Sequence, residues 1–293
     1  MPASKATGIG SSAPGDYNAV VKAIGKPQNL PDFNSLSVIA ATLLLAYALA
    51  RFTDYPSRNL AIQLPGLFLN VQINLRTFVA VLVASLAAAG ISWLIRDHPN
   101  LGSRSRLEYQ LIPTLTAWVI GVPLFQLPMG LLWWVGFGLG GLILMLVLIA
   151  EYIVVDDNDL RQPLASAGLT VVSFSLYLIL AASLRYANLR LYLILPALTL
   201  TAWLISLRTL HLRLHGRWAL VHAGVVALLV GQLVAALHYW PLSPVAYGLV
   251  LLGAVYSLTN LMGSLLNGNP LRQALVEPGL VLAIFWIAAI FLR

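Results

Sequence analysis

The chain alternates long apolar runs with short polar breaks. No Asp, Glu, Lys or Arg occurs between Glu108 and Glu151, or between Arg217 and Arg272. A helix needs about 20 apolar residues to cross a bilayer core, so each gap holds two spans and a turn. Four shorter uncharged runs, 33–50, 77–95, 162–184 and 191–207, each fit one span. A final run, 278–292, covers only about 22 Å at helical rise. It crosses only if its helix starts earlier, near Leu271. The pattern therefore predicts an all-α polytopic membrane protein, a bundle of eight transmembrane helices and a ninth on that condition.

One segment breaks the helical pattern. Leu60, Ile62 and Leu64, then Leu67, Leu69, Val71, Ile73 and Leu75, alternate with other residues around Pro65-Gly66. Period two about a Pro-Gly turn predicts an extracytoplasmic β-hairpin over 59–76. Isolated hairpins are marginal in water, so its apolar face is expected to rest on the bundle or the interface. A re-entrant or interfacial segment is the alternative.

Residues 1–33, rich in Gly, Ser, Pro, Ala and Asn, read as a flexible tail with a short helix around Tyr17 to Ile24. The transmembrane domain is then 34–293. Ala48-Leu49-Ala50 resembles a signal-cleavage site, but the long preceding region with Asp16 and Asp32 favours an uncleaved first helix. Pro123 and Pro128 bracket one turn, and Pro241 and Pro244 mark another. Pro196 is expected to kink its span and free a carbonyl near the bilayer centre. No internal repeat is visible, which weakens an inverted-repeat transporter reading.

Composition agrees with the pattern. The chain is 59% hydrophobic and 9% charged, against about 25% charged in soluble domains. Its net charge of +7 comes from basic residues set singly at helix ends. They form no stripe, so nucleic acid is not an expected partner. With the N-terminus cytoplasmic, the inner segments hold eleven of the seventeen Lys and Arg. That imbalance predicts a cell inner membrane protein with its N-terminus inside and its C-terminus outside. The absence of cysteine excludes disulfides, thiolate metal sites, thioether-linked haem and a Cys nucleophile. No cofactor is expected.

Glu151 is the leading candidate for chemistry, because it ends a run that is apolar from Leu131 to Ala150. Ionisable groups at that depth are costly and commonly functional. A helix-end carboxylate paired with a neighbouring Arg is the plainer reading. The topology puts Arg96, Glu108, Gln110, Arg208, His222 and Asn260 at the same inner level, where they form a candidate polar cluster with Glu151. Such a set can bind a headgroup or move a proton. Asp156, Asp157 and Asp159 are weak metal candidates that lack a complete motif. His211, His215 and His222, spaced four and seven apart, could share a helix face. Gly216 and the alternating Arg213 and Arg217 favour a basic surface loop instead. Tyr239-Trp240 beside His238 reads as an interfacial anchor. Gly136 and Gly140 form a small-xxx-small pair for close helix packing, and Gln232 is expected to hydrogen-bond across the bundle.

Four features together resemble a bacterial family of uncharacterised multi-pass membrane proteins. They are the alternating hairpin, Arg96-Asp97-His98-Pro99, Glu151-Tyr152 leading into Asp156-Asp157-Asn158-Asp159, and Tyr239-Trp240-Pro241-Leu242. The resemblance covers roughly 34–293 and implies the architecture, with no activity to carry over. The residues lean towards a non-catalytic role, transport-like or as an accessory subunit, with membrane lipids and partner membrane subunits as the expected contacts. The alternative is a membrane-embedded enzyme acting on a lipid or isoprenoid from the cytoplasmic side.

Overall fold

A computed structural model describes residues 31, 33–52, 58–64, 67–73, 75–96, 107–156, 159–214 and 216–292, with backbone alone from 58 to 77. The tail expected over 1–33 falls almost wholly outside the described residues. In chain order the elements are α1 (Phe33–Phe52), β1 (Arg58–Leu64), β2 (Leu67–Ile73), α2 (Leu75–Leu94), α3 (Leu107–Gln126), α4 (Leu131–Val154), α5 (Gln162–Tyr186), α6 (Leu191–Arg213), α7 (Leu220–Leu237), α8 (Pro244–Leu266) and α9 (Leu271–Phe291). The two strands pair antiparallel, Arg58 opposite Ile73 and Leu64 opposite Leu67.

Among the described residues, seven helices are long and apolar enough to cross a membrane: α1 and α4 to α9. That set is compatible with a multi-pass membrane protein. The conditional last span qualifies, because α9 starts at Leu271. Two of the eight helices expected without condition, α2 and α3, do not qualify. In α2 the stretch with described side chains, Phe78–Leu94, is apolar but short. In α3 the cause is composition, since Glu108, Gln110, Thr114, Thr116 and Gln126 lie along it.

The position of α3 explains that composition. It is the shared wall between two apolar cores. Tyr109, Ala117, Ile120 and Leu124 face a core built from α1, α2 and α4, which includes Leu43, Ile91, Trp133 and Leu148. Leu115 and Val119 face a second core from α5 to α8, with Leu180, Leu198, Val230 and Leu251. A helix surrounded by other helices meets little lipid, so it tolerates polar residues; its Gln110 and Gln126 donate to Ser92 and to the Ser183 carbonyl on neighbouring helices. Tyr47 of α1 donates its hydroxyl to the Ala117 carbonyl, and a Cβ on Gly121 would lie 2.9 Å from the Tyr47 ring. Outward faces are apolar, as at Leu139, Leu228 and Ile284.

The prolines differ from expectation. Pro123 lies inside α3, so the turn is confined to residues 127–130. Pro196 falls in the second turn of α6. That is near the helix start rather than at its middle.

A buried charged cluster as candidate functional site

Three helix ends meet at one side of the bundle. Glu108 sits in the first turn of α3, where a helix dipole favours a carboxylate. Glu151 lies one turn before the end of α4. Arg208 and His211 lie near the end of α6, and their spacing of three puts both on one face.

Side-chain contacts join the four residues. Arg208 donates from Nη2 to Glu151 Oε2. Its Nη1 is 3.4 Å from His211 Nδ1, and its guanidinium carbon is 5.3 Å from the centre of the Tyr109 ring. His211 Nε2 is 2.9 Å from Glu108 Oε2, within ion-pair distance but without a hydrogen bond between them. The imidazole also packs 4.6 Å from Trp218, centre to centre. All four charged or titratable residues are buried: Glu108 is 6% exposed, Glu151 0%, Arg208 1% and His211 5%. Trp218 itself is 42% exposed. Glu151 Oε1 and Arg208 Nε find no hydrogen-bond partner among the described residues.

The contact with Arg208 is a hydrogen bond in one tautomer of His211 alone. Arginine only donates, so a hydrogen bond from Nη1 requires His211 Nδ1 to accept. In that tautomer the ring proton sits on Nε2, facing Glu108.

Of the seven candidates, the cluster contains Glu108, Glu151 and Arg208. Gln110 instead donates to Ser92 Oγ of α2 at 2.6 Å; two residues after Glu108, it points about 200° around the helix. Asn260 donates to Glu277 Oε1 of α9 at 3.0 Å. Its helix meets α6 on another face, where Ser206 and Thr259 hydroxyls lie 2.9 Å apart. Arg96 is exposed just beyond α2, and His222 is half-buried in the first turn of α7. His211 was expected in a surface loop. Because α6 continues to Arg213, it is buried in the cluster, and its spacing of three from Arg208 was the available signal. Glu277 was not anticipated.

Among the described residues, no group of three or more His, Asp or Glu could hold a metal. Asp159 Oδ1 accepts the Arg161 amide at 2.9 Å, bracing the approach to α5. Asp156 is half-buried beyond α4, while Asp157 and His215 lie outside the described residues. Gln232 is exposed rather than directed across the bundle. A Cβ on Gly140 would meet Ile120 at 2.6 Å, and one on Gly136 would meet Leu127 at 3.3 Å, so both pack within the chain.

At the opposite end, cations cap helix carbonyls. Arg185 donates to the carbonyls of His238, at 2.6 Å, and Trp240, at 2.8 Å. Arg51 donates to the Leu127 carbonyl at 3.0 Å. Such capping stabilises helix C-termini. Burial, helped by the Arg185 charge, lowers the His238 pKa below its ordinary value.

Residues 55–292 match a family described as "Protein of unknown function (DUF5656)". No curated protein matches the chain, and no solved structure does.

Proposed function

Since the chain belongs to this family of unknown function, we propose a role from its own residues: a multi-pass protein of the cell inner membrane, transport-like and non-catalytic, whose working site is the buried cluster. One observation carries the reading. Glu108, Glu151, Arg208 and His211 are all nearly inaccessible within an apolar bundle. Ionisable groups in such surroundings are costly and characteristically lie on ion or substrate pathways. The excess of Lys and Arg on the N-terminal side puts the N-terminus in the cytoplasm. On that orientation the cluster lies at the cytoplasmic end, the strand pair outside, and all nine described helices cross.

The test is charge displacement on a solid-supported membrane carrying the reconstituted protein, after jumps of pH or of candidate solutes. The wild type is expected to give a transient current that Glu151→Gln abolishes. Gln110→Ala, outside the cluster, is expected to retain it. Undiminished currents in Glu151→Gln, or no wild-type current across the solute panel, would overturn the transport reading. Silence together with co-purifying membrane polypeptides would favour an accessory subunit.

A further inference from the structure

The cluster does not balance in charge. Arg208 is the cluster's one permanent cation, and its Nη1 lies 3.4 Å from His211 Nδ1. Glu108 and Glu151 are two carboxylates against that one cation. If both are ionised, the group carries a net negative charge in a site sealed from water. A buried uncompensated charge is expensive, and one added proton removes it.

The contacts distinguish the acceptors. Glu108 Oε2 faces His211 Nε2 at ion-pair distance, 2.9 Å. A proton on His211 Nδ1 would turn two donors towards each other across 3.4 Å. Glu151 uses Oε2 for Arg208 and leaves Oε1 buried without a partner among the described residues. From these contacts we infer that the cluster is a binding site for a single exchangeable proton, carried by Glu151. This deepens the transport-like reading and rests on it for its purpose, although the proton site itself can be tested separately.

Among the described residues, the other polar groups near the site supply no second countercharge. On α3 there is Tyr109, whose ring lies under the guanidinium, and on α4 there is Tyr152, half-buried. On α6, Arg213 lies against Gly263 of α8. Trp218, in the connection to α7, covers His211.

Uptake has a structural consequence. The step moves a proton from water to Glu151 Oε1, giving a neutral carboxylic acid, and no electrons move. Arg208 then loses its ionic partner on α4, leaving Glu108 as the remaining carboxylate. A shift of the guanidinium towards Glu108 pushes on the imidazole between them and on Trp218 behind it.

Difference infrared spectroscopy of the purified full chain in nanodiscs, between alkaline and acid baths, tests the site without any transported solute. The expected result is a protonated-carboxyl band on acidification, lost in Glu151→Gln and retained in Glu108→Gln. Glu151→Asp, which keeps a titrating carboxyl, shifts the band and covers the case in which the Gln variant fails to fold. A band retained unchanged in folded Glu151→Gln, or lost only in Glu108→Gln, overturns the assignment. No pH-dependent carboxyl band in the wild type overturns the proton site itself. Currents without such a band would refute this inference and leave transport standing; a band without currents would do the reverse.

Discussion

At the scale of residues, the Arg208–Glu151 pair is a cost that packing alone would not impose. Removing one partner from a buried ion pair leaves a stranded charge, typically a loss of about 3–5 kcal/mol. Replacing both by apolar residues of similar volume is often neutral or stabilising. Arg208→Met is therefore expected to destabilise by about 3 kcal/mol or more, read as an earlier midpoint in detergent-titrated unfolding. Arg208→Met with Glu151→Leu is expected to recover most of that loss while abolishing the currents. If the double variant is no more stable than the single one, the pair is serving the fold. Glu151 was legible in the sequence because it closes a long uncharged run, and Arg208 because it ends one. His211 was not, because its role depends on where α6 stops. Sequence spacing allowed a helix through Arg213 as readily as a loop begun before it, and Gly216 with the neighbouring arginines favoured the loop.

At the scale of elements, α9 is the least buried of the seven helices long and apolar enough to cross a membrane. Ala274, Pro278 and Ala289 are its buried residues, and large apolar side chains such as Leu280, Ile284 and Ile287 face outward. Polar links tie it to α8: Asn260 to Glu277 and Ser257 Oγ to the Pro278 carbonyl at 2.8 Å. Ser243 Oγ, just before α8, donates to the Leu292 carbonyl at 2.7 Å. Interhelical hydrogen bonds in a bilayer average about 0.6 kcal/mol. Asn260→Leu is expected to cost about that much, and chiefly locally. Hydrogen exchange across 271–291 should quicken while α3 and α6 stay protected. Uniform loss of protection would show that Asn260 supports the whole bundle instead. The existence of α9 depended on its start at Leu271, which hydropathy alone left open. For α3 the sequence misled in a different way. A run free of charges after Glu108 read as lipid-facing, yet its threonines and glutamines belong to a helix enclosed by neighbours.

For the whole molecule, the open question is whether α2 and α3 cross the membrane with the seven helices that qualify by length and composition. Counting crossings from the termini cannot decide it, because seven and nine are both odd and put the two ends on opposite sides. The cluster supplies a better argument. Glu108 begins α3 where α4 and α6 end, so α3 runs opposite to both. At 20 residues it is about 30 Å long, the thickness of a bilayer core. Near its far end the Leu124 carbonyl accepts from Trp133 Nε1, at the start of α4, at 3.2 Å. α3 therefore lies alongside α4 over most of its length, and one cannot cross without the other. The Gln110–Ser92 contact likewise places the end of α2 beside the start of α3. The connection between α2 and α3 should then lie on the membrane face nearest the cluster. A topology reporter inserted at Gly102 is expected to read cytoplasmic, matching one at the N-terminus and opposing one fused at Arg293. A reporter at Gly102 that instead matches Arg293 would mean that α2 and α3 do not cross. The charged cluster would then need a different relation to the membrane, and its assignment to a cytoplasm-facing pathway would fail with the topology.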